Sequence, residues 1–404
     1  MTNDLATAPL PGRAPGTRPR RAGAAPLSAL ALGAFAVGTT EVVIAGLLPE
    51  VATDFGVSLP TAGLLVSGYA VGMVVGAPLL TVLGARLPRK HLLLWLVGLF
   101  TAAGLLSALA PGYEVLLVGR VLSALAGGAY VGTAAVVAAG LVAPERKASA
   151  IATVFMGLSL ANVLGVPGGT ALGQALGWRA AFWGVTAIGA VLLAAIAALL
   201  PPIPRGRGTG FRQELAAFRN GRVWLALATT ALGWAPYLTV ITYITPMLTE
   251  VTGFDDRTVP LMLVLIGIGM VVGTPLAGRF ADRALLPTLY GALAGITAVS
   301  AFLILAVQSK PAAIIGFLLF GLVGAAVIPP LQTRVLEAAR GADNLASAAN
   351  VSAFNIGNAG GPLLAGAALS AGWGYTSLLW IAAALGASGL ALALTTTALH
   401  RRAR

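Results

Sequence analysis

The octapeptide Gly72-Met73-Val74-Val75-Gly76-Ala77-Pro78-Leu79 returns 197 residues later as Gly269-Met270-Val271-Val272-Gly273-Thr274-Pro275-Leu276. In both copies the apolar run ends in a basic turn, Leu83-Gly84-Ala85-Arg86 in the first and Phe280-Ala281-Asp282-Arg283 in the second. A second pair of anchors keeps nearly the same spacing. Gly165-Val166-Pro167 and Gly177-Trp178 recur 195 residues on as Gly360-Gly361-Pro362 and Gly372-Trp373. The chain is therefore two copies of one plan, and direct duplication of a membrane bundle is one way to build a secondary transporter.

The medium follows from composition. Of 404 residues, 58% are hydrophobic and 9% charged, more apolar surface than a soluble core could hide. The chain has no cysteine, and its two histidines, His91 and His400, both adjoin basic segment ends. No thiol chemistry, disulfide frame or metal cluster is expected, and no cofactor. The net charge of +12 falls in tails and short loops between apolar runs, the pattern of a membrane protein and not of a nucleic-acid binder.

Residues 1–26 form a basic tail with Arg13, Arg18, Arg20 and Arg21, too poor in apolar mass to fold. Arg20-Arg21 does not begin a secretion signal, because the apolar run that follows is too long for one. Twelve spans are expected near 27–49, 61–83, 91–110, 113–141, 149–174, 179–200, 221–248, 258–280, 286–307, 311–333, 345–370 and 374–398. This divides the chain into a first six-helix bundle (27–200), a linker (201–220), a second bundle (221–398) and a basic tail (399–404). With the N-terminus inside, inner loops and tails carry 21 of the 25 Lys and Arg, so both termini are expected in the cytoplasm. The linker opens Pro201-Pro202-Ile203-Pro204, which no helix crosses, and Phe211, Leu215 and Phe218 are then expected to share a face of a short helix on the inner membrane surface, the alternative being a solvated linker.

Two charges lie alone within spans, Glu41 and Arg120. A charge at the bilayer centre costs about 2.5 to 3.5 kcal/mol on insertion scales, so each needs a reason. Counted from the outer ends of spans one and four, both lie roughly 11 Å deep. A carboxylate and a guanidinium at one depth can pair if their helices are near. The pair is then either a protonation switch or a buried clamp. Small residues at every fourth position, such as Gly128 and Gly132, mark tight helix contacts, and prolines within spans mark bends. The amides Asn162, Asn350, Asn355, Asn358, Gln174 and Gln332 and the aromatics Tyr69, Tyr130, Phe155, Trp234, Tyr237, Tyr243 and Phe354 are candidates to line a mostly apolar cavity. Among these, Tyr69, Tyr130, Asn162, Trp234, Tyr237, Tyr243 and Asn355 are the principal candidates.

The duplicated six-helix halves, the basic turn after span two and the glycine-proline fifth span resemble the major facilitator superfamily. More narrowly, Gly38-Thr39-Thr40-Glu41, Gly46-Leu47-Leu48-Pro49-Glu50 and Ser67-Gly68-Tyr69-Ala70 resemble the drug:proton antiporters that include chloramphenicol exporters and sugar-efflux permeases. The resemblance implies an all-α membrane protein of twelve transmembrane helices in two six-helix bundles, working by alternating access in the cell (inner) membrane. Leu164 to Gly169 is similar to the antiporter signature of the fifth helix, and Arg120 falls where the family keeps an arginine implicated in proton transfer. Glu41 and Arg120 are accordingly expected to couple protons, and Arg86, Arg89, Asp282, Arg283, Gly165 and Pro167 to serve the conformational switch. One departure stands out: Ala85 occupies the family's usual acidic position in the first inner turn, and only the second turn keeps it, as Asp282. The expected activity is proton-driven efflux of a small amphiphile, such as chloramphenicol, by a monomer. The alternative is proton-coupled movement of a sugar or other small metabolite. No convergence of nucleophile, base and orienting group argues for an enzyme.

Overall fold

The computed structural model describes residues 24–203, 215–255, 258–339 and 341–402. Most of the basic tail, the basic part of the linker, Arg257 and the final two residues lie outside the described residues. So do Phe211 to Glu214 of the expected surface helix, of which Leu215 to Ala217 form a helical turn.

Among the described residues twelve helical rods follow in order: α1 (Ala24–Val43), α2 (Leu59–Leu83), α3 (Arg89–Ala108), α4 (Tyr113–Gly140), α5 (Pro144–Leu176), α6 (Trp178–Leu199), α7 (Gly221–Ile241), α8 (Val259–Arg283), α9 (Leu285–Ala306), α10 (Lys310–Ala338), α11 (Asp343–Ser370) and α12 (Ser377–Arg402). Eleven are long and apolar enough to cross a membrane. The other, α11, has the length, 28 residues, but carries Asn344, Asn350, Asn355 and Asn358. Its polar residues are tolerable because it runs between the halves, with Asn350 and Asn355 buried.

Packing repeats as the sequence does. In the first half α2 lies on α4, α3 on α4 and α6, and α1 on α5 and α6. In the second, α8 lies on α10, α9 on α10 and α12, and α7 on α11 and α12. The repeated glycines make this possible. A Cβ on Gly76 would overlap the backbone of Leu125, and one on Gly273 the backbone of Leu322, so α2–α4 and α8–α10 meet backbone to backbone.

Several expected spans are broken. The first was expected to run to residue 49, but the regular helix stops at Val43, tightens over Ile44–Leu47 and restarts as a short helix, Leu48–Phe55. Pro49 starts that helix because its missing N–H is not needed there. The seventh breaks at the equivalent place, after Ile241, and Pro246 closes the next turn. Helix α5 contains a π-helical turn, Ala161–Gly165, just before Pro167. Helix α10 is interrupted at Val327 ahead of Pro329 and Pro330.

The halves meet at one end, where residues 203 and 215 flank the linker; we call it the connection end. Helix α5 crosses α8 and α10, and α11 crosses α2 and α4. The Ser347 hydroxyl donates to the Gly132 carbonyl (2.7 Å), and the Ser352 hydroxyl to the Val74 carbonyl (2.7 Å). Toward the far end α5 turns from α8 onto α1 and α6. The arrangement is closed at the connection end.

Candidate functional site

Beyond the sealed connection end lies a cavity of about 220 Å³ lined by both halves. The first half supplies Gly38, Glu41 and Val42 from α1, Met73 from α2, Val131 from α4, and Phe155, Leu158, Ser159 and Asn162 from α5. The second supplies Trp234, Tyr237, Leu238 and Ile241 from α7, Met270 from α8, Ile328 from α10, and Val351, Phe354, Asn355 and Asn358 from α11. Glu41 is the only carboxylate in this wall, and no Lys, Arg or His lines it among the described residues. The equivalent stretch of α7 presents Leu238 and Ile241, so the cavity has one acidic side.

Its other side is aromatic. Trp234 stacks on Tyr237 (4.9 Å) and meets Phe354 edge-on (5.8 Å), and Tyr237 stacks on Phe320 (5.8 Å). Phe354 reaches Phe155 of the first half at 6.1 Å. The polar edges of these rings are satisfied locally: the Trp234 indole N–H donates to Asn358 Oδ1 (2.5 Å), and the Tyr237 hydroxyl to Met270 Sδ (2.9 Å). The amides of Asn162 and Asn355 turn back to the carbonyls of Leu158 (3.1 Å) and Val351 (3.0 Å). Such a wall grips flat apolar groups and offers few polar handles.

Arg120 lies one layer behind and departs from expectation. It is fully buried and close to Glu41, yet makes no ion pair with the Glu41 carboxylate. The ion pairs among the described residues are Arg179–Asp54 and Arg334–Glu337. Its guanidinium instead donates to the backbone carbonyls of Thr40 (2.5 Å) and Glu41 (3.3 Å) and covers the Tyr69 ring at 4.3 Å. The break of α1 explains this choice. A helix ending at Val43 leaves its last carbonyls short of partners at the negative end of the dipole, and an arginine from α4 satisfies both needs. The arrangement fixes the backbone under Glu41 while its side chain, half-buried, faces the cavity.

Three expected lining residues do other work. Tyr69 sits beneath Arg120 and donates to the Val37 carbonyl (3.4 Å). Tyr130 donates to the Leu30 carbonyl (3.0 Å) and fills the space over Gly33, joining α1 to α4. Tyr243 lies past the α7 break and donates to the Pro362 carbonyl (3.4 Å). All three are hydroxyl-bearing rings whose hydroxyl found a carbonyl exposed by a bend or close crossing, which draws the ring away from the cavity. Asn162, Trp234, Tyr237 and Asn355 do line it. Met73, Met270, Ser159 and Gly38 were missed. The two methionines hold the same position in the repeated octapeptide, which could have placed them together on the axis between the halves.

Of the expected switch residues, Asp282 accepts hydrogen bonds from the backbone N–H of Ala148 (2.7 Å) and Ser149 (3.1 Å) and from the Ser149 hydroxyl. It ties the end of α8 to the start of α5 across the halves. Arg86 and Arg283 are exposed, and Arg89 borders a polar hollow with Lys147, Asp282, Glu337 and Asp343. Gly165 closes the π-helical turn directly against Thr39 of α1, and Pro167 starts the part of α5 far from the connection end.

Comparison with known proteins gives the family. The Major Facilitator Superfamily profile matches residues 30–362. The chain is 42% identical over 369 residues to the inner membrane transport protein YdhP of Escherichia coli O157:H7, covering 91% of this chain and 94% of that one. It is 37% identical over 378 residues to a chloramphenicol resistance protein of Streptomyces lividans, with 91% and 94% covered. It is 30% identical over 333 residues to a probable sugar efflux transporter of Helicobacter pylori (strain G27), with 82% and 85% covered. Among solved structures the fold matches the transporter FucP in its outward conformation, with a TM-score of 0.74 at 15% identity, covering 92% of this chain and 98% of that one. With its twelve rods, its cavity between duplicated halves and these relatives, the chain belongs to the major facilitator superfamily: it is a multi-pass membrane transporter of small molecules and not an enzyme.

Proposed function

We propose that the protein is a proton-coupled exporter of small amphiphilic compounds, chloramphenicol among them, acting as a monomer in the inner membrane with both termini in the cytoplasm. The observation that carries this reading is Glu41: one carboxyl group facing a cavity shared by the two halves, opposite a wall of stacked aromatic rings. A relative's name as a chloramphenicol resistance protein supports the substrate class, and the excess of Lys and Arg at the connection end supports the orientation.

In this reading the connection end faces the cytoplasm and the arrangement described is outward-facing. A proton from outside neutralises Glu41 and so removes the one charge that holds water and counter-charge in the cavity. The halves then rock, the proton leaves inward, and the amphiphile takes its place against Trp234, Tyr237 and Phe354. Arg120 keeps the α1 break rigid. One charge moved through 100 mV is worth about 2.3 kcal/mol, enough for a roughly fifty-fold gradient.

The test is transport of radiolabelled chloramphenicol in proteoliposomes under an imposed pH gradient. Wild-type protein accumulates it against its gradient and Glu41→Gln does not, while Glu41→Gln retains exchange down a gradient. Coupled accumulation that persists in Glu41→Gln removes Glu41 from the mechanism. The same vesicles challenged with sugars decide the alternative that the sugar-efflux relative raises.

A further inference from the structure

Among the described residues that line the cavity, one amide keeps a donor nitrogen that no neighbour uses. The other polar side chains of the wall are engaged. Asn162 and Asn355 each give an amide N–H to the carbonyl four residues back in their own helix (3.1 and 3.0 Å), and the Ser159 hydroxyl pairs with that of Thr274 in α8 (3.3 Å). Trp234 and Tyr237 donate to Asn358 and Met270. Asn358 only receives: its Oδ1 takes the Trp234 indole N–H at 2.5 Å, and its Nδ2 has no hydrogen-bond partner among the described residues.

Chemistry fixes which way this amide is turned. An indole nitrogen is a donor only, so the atom facing it must be the oxygen, which leaves the NH2 as the group free for a guest. Backbone contact holds the amide within reach. A Cβ on Gly357 would lie 2.7 Å from the Ala231 carbonyl oxygen, and one on Gly361 2.6 Å from that of Ala235, so α11 meets α7 backbone to backbone on both sides of Asn358. Phe354, one turn earlier in α11, sets its ring edge-on to the same indole at 5.8 Å. Two side chains of α11 thus fix the plane of Trp234, and Asn358, half-buried, lines the cavity beside it. In a mostly apolar wall a donor next to a stacked ring is a point of selection, because a guest without an acceptor leaves it unpaired.

We propose that the Asn358 amide NH2 selects the transported compound, favouring flat aromatic molecules that carry a hydrogen-bond acceptor, such as a carbonyl or nitro oxygen, beside the ring. The ring lies against Trp234 and Tyr237, and the acceptor meets Nδ2. This rests on the reading of the cavity as the transport site and narrows it. An aliphatic amphiphile, or an arene of the same size without the acceptor, binds more weakly. A carboxylate at Glu41 is no substitute, because it accepts and does not donate.

The probes are 2-acetylnaphthalene and 2-isopropylnaphthalene, flat isosteres that differ by one acceptor oxygen. Each, radiolabelled, is brought to equilibrium by dialysis with the full-length protein in phospholipid nanodiscs, and empty nanodiscs give the partition into lipid to subtract. The preference, Kd of the isopropyl compound over Kd of the acetyl compound, is expected to fall about fivefold in Asn358→Leu, the worth of one neutral hydrogen bond. Asn358→Asp separates recognition from support. Its carboxylate still accepts the indole N–H but has no N–H to give, so the preference falls there at least as far. A preference that survives in Asn358→Asp, or in both variants, overturns the proposal, because Asn358 then only holds Trp234. Affinities for both compounds that Trp234→Ala leaves unmoved place them outside the cavity and overturn it as well. The proton-coupled exporter reading falls on a different measurement, transport by Glu41→Gln, so each can fail alone.

Discussion

The two halves are alike where helices touch and unlike where charge is placed. Gly76 and Gly273 stand at the same position of the repeat and do the same work, each letting a helix backbone rest on its neighbour. The turns that follow have diverged. In the second half Asp282 binds two backbone N–H groups and a hydroxyl at the start of α5. In the first half Ala85 stands at that position, and the matching crossing of α2 and α4 with α11 is held by neutral bonds from Ser347 and Ser352 to carbonyls. A buried amide chain supports them, in which Asn350 donates to Gln332 (2.6 Å) and Gln332 to Ser347 (2.6 Å). The helix starts explain the divergence. Past its opening turn, Pro144–Arg146, the regular part of α5 starts at Lys147, where the N–H groups of Ala148 and Ser149 meet the Asp282 carboxylate, while α11 begins directly with Asp343, whose own carboxylate lies at that helix start. Duplication fixed the packing, and the charges were free to differ.

The strongest challenge to this comparison is steric. Gly76→Val and Gly273→Val are both expected to cost more than about 4 kcal/mol and to remove folded protein, seen as loss of the monodisperse peak on size exclusion. If one is tolerated, the halves are not equivalent at the contact that defines them. Next comes Asp282→Asn. It weakens a charge-assisted cap between halves by about 2 kcal/mol, and spin labels across the connection end should show the open population rising by roughly thirtyfold.

The divergence itself can be reversed. Ala85→Asp alone should leave those spin-label distances unchanged, whereas Ala85→Asp with Asp343→Asn should shift them toward the closed arrangement by up to about 1 kcal/mol. A shift from Ala85→Asp alone would mean that Asp343 does not repel it. The smallest effect lies at the far end. Asp54 is bound by Arg179 (2.7 Å) and the Trp178 indole (3.0 Å), and the Arg179 hydrogen bond holds its carboxyl below the usual carboxylate range. Because the folded value is depressed, the clasp contributes at neutral pH and is lost as acid titrates below about pH 4. Asp54→Asn should lower the unfolding free energy slightly at pH 7, by under about 1 kcal/mol for so exposed a pair, and the gap to wild type should close in acid.

Much of the site was legible because it is tied to spacing. Glu41 and Arg120 were expected at one depth, and their helices do bring them together. The direct ion pair was not legible in the same way. It depended on whether α1 continued past Val43, and the break offered Arg120 carbonyls that a count of residues from a span's end cannot reveal. The tyrosines failed for a related reason. An aromatic ring in a span is equally able to face a cavity or a carbonyl, and only the neighbouring helix decides, as Val37, Leu30 and Pro362 did for Tyr69, Tyr130 and Tyr243.

By itself the sequence determined the duplication, the lipid setting, the rods and the single acidic residue available to the cavity, since repeat spacing, hydropathy and charge placement are properties of position along a chain. Tertiary structure decided which face of each rod met the other half, where the rods broke and which partners the buried polar groups chose. Those outcomes depend on distances between segments far apart in the chain, and a difference of a few ångströms is what separates a carboxylate partner from a carbonyl.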